Sequence, residues 1–168
     1  GTGSGQILLA LNNPSSGTSS LTKTGSGTWN VVAGSTYTGV TTITGGVLST
    51  TYLQNGGVAS SIGKSTSDAS NLVINGGTLK FTGTTATYTD RLLTMGANGA
   101  TIDASGTGSG TLSFGPGSNS NMVVSSGATA PTLTLNGSGT GIFYIATVNP
   151  ASGVTAVTKS GAGQWTLA

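Results

Sequence analysis

Apolar residues recur along the chain in short alternating runs: Leu72 and Ile74, Leu79 and Phe81, Leu112 and Phe114, Leu133 and Leu135, with a further run at Thr101-Ile102. Each run is closed by glycine or asparagine. Alternation with period two, bounded by turn formers, describes a strand with one face turned inward. Helix is disfavoured throughout, because β-branched Thr and Val dominate and glycine interrupts about every dozen residues. The pattern predicts a nearly all-β chain of many short strands.

A finer rhythm lies in the turns. Ile43-Thr44-Gly45-Gly46-Val47-Leu48, Asn55-Gly56-Gly57-Val58 and Ile74-Asn75-Gly76-Gly77-Thr78-Leu79 are related, and Asn98-Gly99-Ala100-Thr101-Ile102 is a looser copy. Asn-Gly and Gly-Gly reach positive φ at little cost, so each unit reads as strand, sharp corner, strand. Recurrence every 20 to 30 residues marks a solenoid. We expect a parallel β-solenoid with Val, Ile and Leu stacked inside and Thr, Ser and Asn laddered outside.

A longer period overlies this one. Shifting the chain by 136 residues lays Gly1–Val32 over Gly137–Ala168 without a gap, with 13 of 32 pairs identical. The identities include Gly5 with Gly141, Asn13-Pro14 with Asn149-Pro150, Thr22-Lys23 with Thr158-Lys159, Gly25 with Gly161, Gly27 with Gly163, and Trp29 with Trp165. Residues 1–136 therefore read as one repeat unit and 137–168 as the start of the next, continuous with it. At roughly 20 residues and about 4.8 Å per rung, one period would advance roughly 30 to 35 Å. Neither end resembles a cap, so the expectation is an array that continues in one polypeptide or copies that stack end to end as a fibre, with lateral bundling.

Composition removes most enzyme chemistry. Gly, Thr, Ser and Asn fill 95 of 168 positions, and His, Cys and Glu are absent. That leaves no imidazole or thiolate metal ligand, no Ser-His or Cys-His pair and no disulfide. The three acids, Asp68, Asp90 and Asp103, are scattered singly, where a β-helix lyase or hydrolase gathers several carboxylates on one face. Asp90 and Arg91 read as a solvated charge pair in a surface turn, Asp103 as outward-facing, and Asp68 as a turn residue. The Gly-Gly pairs lack the aspartates of a calcium-binding nonapeptide, and no phosphate-cradling loop opens a helix. The reading is no enzyme, no cofactor and no metal.

Charge and hydropathy exclude other partners. Net charge is +2, from four Lys and one Arg against three Asp with no basic cluster, so nucleic acid is excluded. The longest apolar run, Ile142–Ala146, is too short to cross a bilayer. Gly1–Gly5 has neither region of a signal peptide.

Residues 21–48, with Leu21-Thr-Lys23-Thr-Gly25-Ser-Gly27-Thr-Trp29-Asn-Val31, Tyr37-Thr-Gly39, Thr41-Thr-Ile43 and Gly46-Val-Leu48, resemble the autotransporter-associated β-strand repeat. Val157-Thr-Lys159-Ser-Gly161-Ala-Gly163-Gln-Trp165-Thr-Leu167 is similar to the first third of another copy. Ser35 departs from the Asn more usual in that family. The resemblance implies a right-handed parallel β-helix on the bacterial surface or outside the cell, working as a structural or adhesive stalk. Lys23, Gly25, Gly27, Trp29, Tyr37, Gly39, Lys159, Gly161, Gly163 and Trp165 are then structural motif positions. Lys23 and Lys159 read as surface lysines that discourage edge pairing. Trp29 and Trp165 read as packing residues, with sugar stacking as the rival role.

Two functions follow. The leading expectation is a component of an extracellular bacterial fibre built from tandem solenoid repeats. Its rival is a surface adhesin passenger that binds glycan or protein through displayed loops, with Ser60–Ser70 and Gly115–Asn121 as the candidates. Asn136-Gly137-Ser138 is a glycosylation sequon.

Overall fold

The computed structural model describes residues 2–115, 121–124, 130–144, 146–147 and 156–168. The chain winds as a parallel β-solenoid whose strands fall into three sheets. A six-stranded sheet holds β2 (Leu21–Lys23), β4 (Thr41–Ile43), β6 (Leu72–Ile74), β9 (Thr94–Met95), β12 (Asn121–Val124) and β15 (Ala146–Thr147) in that order. A seven-stranded sheet follows at each turn: β1 (Gly5–Ile7), β3 (Thr28–Val31), β5 (Val47–Thr50), β7 (Thr78–Phe81), β10 (Ala100–Ala104), β13 (Thr132–Asn136) and β16 (Ala156–Lys159). A four-stranded sheet completes the later turns with β8 (Thr87–Thr89), β11 (Thr111–Phe114), β14 (Thr140–Phe143) and β17 (Gln164–Leu167). Helix is confined, among the described residues, to one 3-10 turn at Ala69–Asn71.

Every alternating apolar run lands in a strand of this coil, because the corners between strands are built from residues that accept positive φ. Gly46 (φ +61°) and Gly76 (φ +86°) turn the chain between the six- and seven-stranded sheets. At Gly46 a side chain would also collide with the carbonyls of Gly25 and Gly27 on the rung before, so two constraints require glycine there. The Asn55-Gly56-Gly57-Val58 turn behaves differently. No strand flanks it, and it forms a turn within a long connection between β5 and β6.

Parallel register stacks like on like. Leu48, Leu79, Ile102 and Leu135 are Cα partners on successive rungs of the seven-stranded sheet and form one inward column. Ile43, Ile74 and Met95 form another, and Phe114 and Phe143 a third. All are buried in one continuous core. The two phenyl rings lie 5.8 Å apart and 8° from parallel. Outside, Thr78, Thr101, Thr134 and Thr158 are partners in a threonine ladder. Because each rung needs only two or three inward residues per strand, 35% hydrophobic content suffices.

The rungs are unequal, and this corrects the expected advance. Trp29 to Leu48 is a turn of 19 residues, whereas Ile102 to Leu135 takes 33. Long connections consume chain without adding a rung. From β1 to β14, a span of 136 residues between Gly5 and Gly141, the coil makes five turns and moves on by one sheet. That is an advance of about 26 Å at the usual strand spacing.

Candidate functional site

The longest departure from the coil between described strands is the connection between β5 and β6, residues 51–71, which bonds within itself and accepts from Thr87 and Thr89 of β8 at the Leu53 and Gln54 carbonyls. Leu53, Ser60, Ser61, Ile62 and Ser65 are buried, while Tyr52, Val58, Lys64 and Thr66 are exposed. Backbone bonds tie it inward: Ser61 N–H donates to the Tyr52 carbonyl at 3.0 Å and Gly57 N–H to Ser65 at 2.9 Å. An antiparallel bridge joins Ser60 to Ser35 in the connection between β3 and β4. Ser35 also accepts from Leu11 N–H through its hydroxyl at 3.0 Å.

Arg91 holds this excursion together. It is 2% exposed, so the surface charge pair expected from Asp90-Arg91 is corrected: the guanidinium sits inside, and no carboxylate is among its hydrogen-bond partners. Nε donates to the Gln54 carbonyl at 3.1 Å. Nη1 reaches the Ser65 carbonyl and hydroxyl, both at 3.1 Å, and Nη2 the carbonyls of Gly63 at 2.9 Å, Asn55 at 3.4 Å and Val58 at 3.5 Å. A planar fork of five donors fits such a ring of oxygens, where a lysine would reach at most three. Burial pulls the guanidinium pKa down, while Tyr37 and Asp90 push it back. Asp90 adds a second tie, since its carboxylate accepts from Gly56 N–H at 2.7 Å while its own N–H donates to Asn55 Oδ1 at 3.0 Å.

Beneath the excursion lies Tyr37, wholly buried. Its hydroxyl donates to Thr41 Oγ1 at 2.7 Å, and Thr41 in turn donates to the Ile62 carbonyl at 3.1 Å. A side chain on Gly63 would strike the Tyr37 ring at 2.6 Å, so ring and excursion are in close contact. Burial raises the phenol to about 12. A raised acid binds its proton more tightly in the folded state, so stability is full below the unfolded value near 10 and falls as pH rises toward 12. The loss is about 2 to 3 kcal/mol. Urea midpoints measured from pH 8 to 12 should fall for the native protein and fall less for Tyr37→Phe.

The other motif residues form corners and rung contacts. Lys23 is 5% exposed and lies on the inward side of β2 as the partner of Ile43, which corrects its reading as a surface lysine. Its ammonium donates to the carbonyls of Thr24 at 2.9 Å, Gly25 at 2.8 Å and Gly45 at 3.0 Å, which spend all three of its donors on two successive corners. Burial lowers its pKa. Lys159 is exposed and donates to Gly161, the position aligned with Gly25, at 2.7 Å. Gly27 and Gly163 face a preceding carbonyl, Gly3 and Gly139 respectively, with no room for a Cβ, and Gly39 is equally close to Ser19. Trp29 is the strand partner of Gly5, and Trp165 of Gly141, with each indole lying over its glycine. Trp165 Nε1 donates to the Asn136 carbonyl at 2.9 Å. Trp29 is 41% exposed.

The acids stay apart, and no three come together among the described residues. Asp103 is outward on β10 yet 5% exposed, because Ser105 Oγ and Asn136 Nδ2, the latter at 2.9 Å, donate to its two oxygens. The sequon asparagine thus has its amide nitrogen engaged. Asp68 accepts from Thr66 Oγ1 at 2.5 Å just before the 3-10 turn. Of the two displayed loops, Ser60–Ser70 is largely packed, and positions 116–120 of Gly115–Asn121 lie outside the described residues. No helix is long and apolar enough to cross a membrane among the described residues. Sequence reasoning missed the Arg91 cage, whose oxygens are nearly all backbone carbonyls; its one signal was an arginine in a chain with so few charges.

No family model matches the chain, and no solved structure matches it. It is similar to the adhesin BmaC autotransporter of Brucella suis biovar 1 (strain 1330), 42% identical over 153 residues that cover 89% of this chain. The same stretch covers 4% of that protein. Over most of its length, then, the chain is similar to one small segment of an autotransporter adhesin.

Proposed function

We propose that the chain is a segment of the exposed passenger of an autotransporter-type adhesin, extracellular or on the bacterial cell surface. It is a non-catalytic β-solenoid that displays the excursion at residues 51–71 to a glycan or protein. The observation that carries this reading is the 42% identity to an adhesin over nearly the whole chain. It favours the adhesin over the fibre component. The geometry adds support: Tyr52 and Val58 are 42% and 46% exposed on an excursion whose base is fixed by Arg91. Exposed apolar and aromatic groups on a rigid platform bind with little ordering cost.

Binding of the purified chain to a glycan array and to immobilised extracellular-matrix proteins tests the proposal. A combined Tyr52→Ala, Val58→Ser and Lys64→Ala variant should bind its target at least about tenfold more weakly, a difference of roughly 1.4 kcal/mol, while keeping the native circular dichroism. Equal binding by the variant, or no binding by the native chain to any of them, would overturn it.

A further inference from the structure

The segments related by the 136-residue shift do not lie on the same side of the coil. Residues 5–7 form β1 in the seven-stranded sheet, whereas their counterparts 141–143 lie in β14 of the four-stranded sheet. Residues 21–23 form β2 of the six-stranded sheet, and 157–159 lie in β16 of the seven-stranded one. Residues 28–31 form β3 of the seven-stranded sheet, and 164–167 form β17 of the four-stranded one. All three are displaced by one sheet in the winding direction. Local pairing is preserved through the move: β1 meets β3 with Gly5 opposite Trp29 and Ile7 opposite Val31, and β14 meets β17 with Gly141 opposite Trp165 and Phe143 opposite Leu167. Lys23 and Lys159 likewise both reach the glycine carbonyl two residues on.

We infer that successive copies of this period are related by a screw of five and one-third turns, so that each copy is rotated by a third of a turn from the one before. An identical register on a different face is what a true screw produces. Slippage of one segment would have changed its partners. Wherever copies follow one another, the Arg91-clamped excursion appears on three sides of the rod in succession, about 26 Å apart along the axis, and returns to the first side after 16 turns, about 77 Å. That the excursion binds a target rests on the adhesin reading. The rotation does not, and it is measured without any target.

The test extends the 168-residue chain by two further copies of residues 33–168, with Lys64→Cys and its counterparts carrying maleimide-linked gold. Electron cryomicroscopy should show successive labels turned by 120° and advanced by about 26 Å. Labels in one line along the rod would overturn the inference. Should the long chain fail to fold, the 168-residue chain decides by crosslinking, which its lack of cysteine makes unambiguous. Thr134 and Thr158 are Cα partners across β13 and β16, at a spacing a disulfide spans. The Thr134→Cys, Thr158→Cys pair should oxidise quantitatively. A crosslink formed instead by Val123→Cys with Thr158→Cys would put β16 in the sheet of β2, give a whole number of turns and overturn it.

Discussion

Replacing Arg91 by methionine should destabilise the protein by about 2 to 5 kcal/mol, at about 1 to 3 kcal/mol for each buried acceptor left without a donor. Methionine fills much of the volume but donates nothing. The Val58 and Gly63 carbonyls, brought together by the guanidinium, would be left with no donor among the described residues. The carbonyls of Gln54, Asn55 and Ser65 would each fall back on one remaining donor, Thr89 Oγ1, Val58 N–H and Gly57 N–H respectively. The excursion gains relief only by opening, so the loss should be local first. Hydrogen exchange at Gly57 and Ser61, whose amides bond within the excursion, should accelerate well before that at Ile102. Arg91→Lys should recover little, since one ammonium offers three donors to six acceptor contacts. Urea unfolding followed by tryptophan fluorescence, paired with exchange mass spectrometry, measures both. Native-like exchange in Arg91→Met would show that the cage does not hold the excursion.

Phe114→Ala should cost a similar amount, about 3 to 5 kcal/mol, for a different reason. Phe114 is wholly buried between Thr89 and Phe143 in its column, stacked on the latter ring. A solenoid has one core residue per strand position per rung, so no neighbour from another layer can move into the gap. The cavity remains and the Phe143 ring loses its facing surface. Thermal unfolding should show a lowered midpoint with strand content retained at low temperature, and a near-native midpoint would mean that the column collapses to refill the space.

Legibility in the sequence followed the range of the interactions. The corner Ile74-Asn-Gly-Gly-Thr-Leu79 announces itself because turn residues and flanking apolars are adjacent in the chain, and it forms the link between β6 and β7. The all-β coil and its stacked interior follow from many such corners. Rung length was hidden, because a corner of three residues and an excursion of twenty-one both begin and end at the same kind of strand. Without rung lengths the number of turns per period could not be counted, and so neither could the rotation. Arg91 was misread because its partners lie 26 to 37 positions away and five of the six contacts are to main-chain oxygens, which no residue type signals. Lys23 was misread likewise, with one partner on its neighbouring rung, Gly45, 22 residues off.

Both internal cations, Arg91 and Lys23, are held by carbonyl oxygens, with one hydroxyl, and not by carboxylates. Acid unfolds most proteins by protonating carboxylates that are paired in the native state. Here the oxygens of the two cages, main-chain carbonyls and one hydroxyl, include no carboxylate to protonate. A chain stitched by main-chain oxygens should keep those stitches as the pH falls below neutrality.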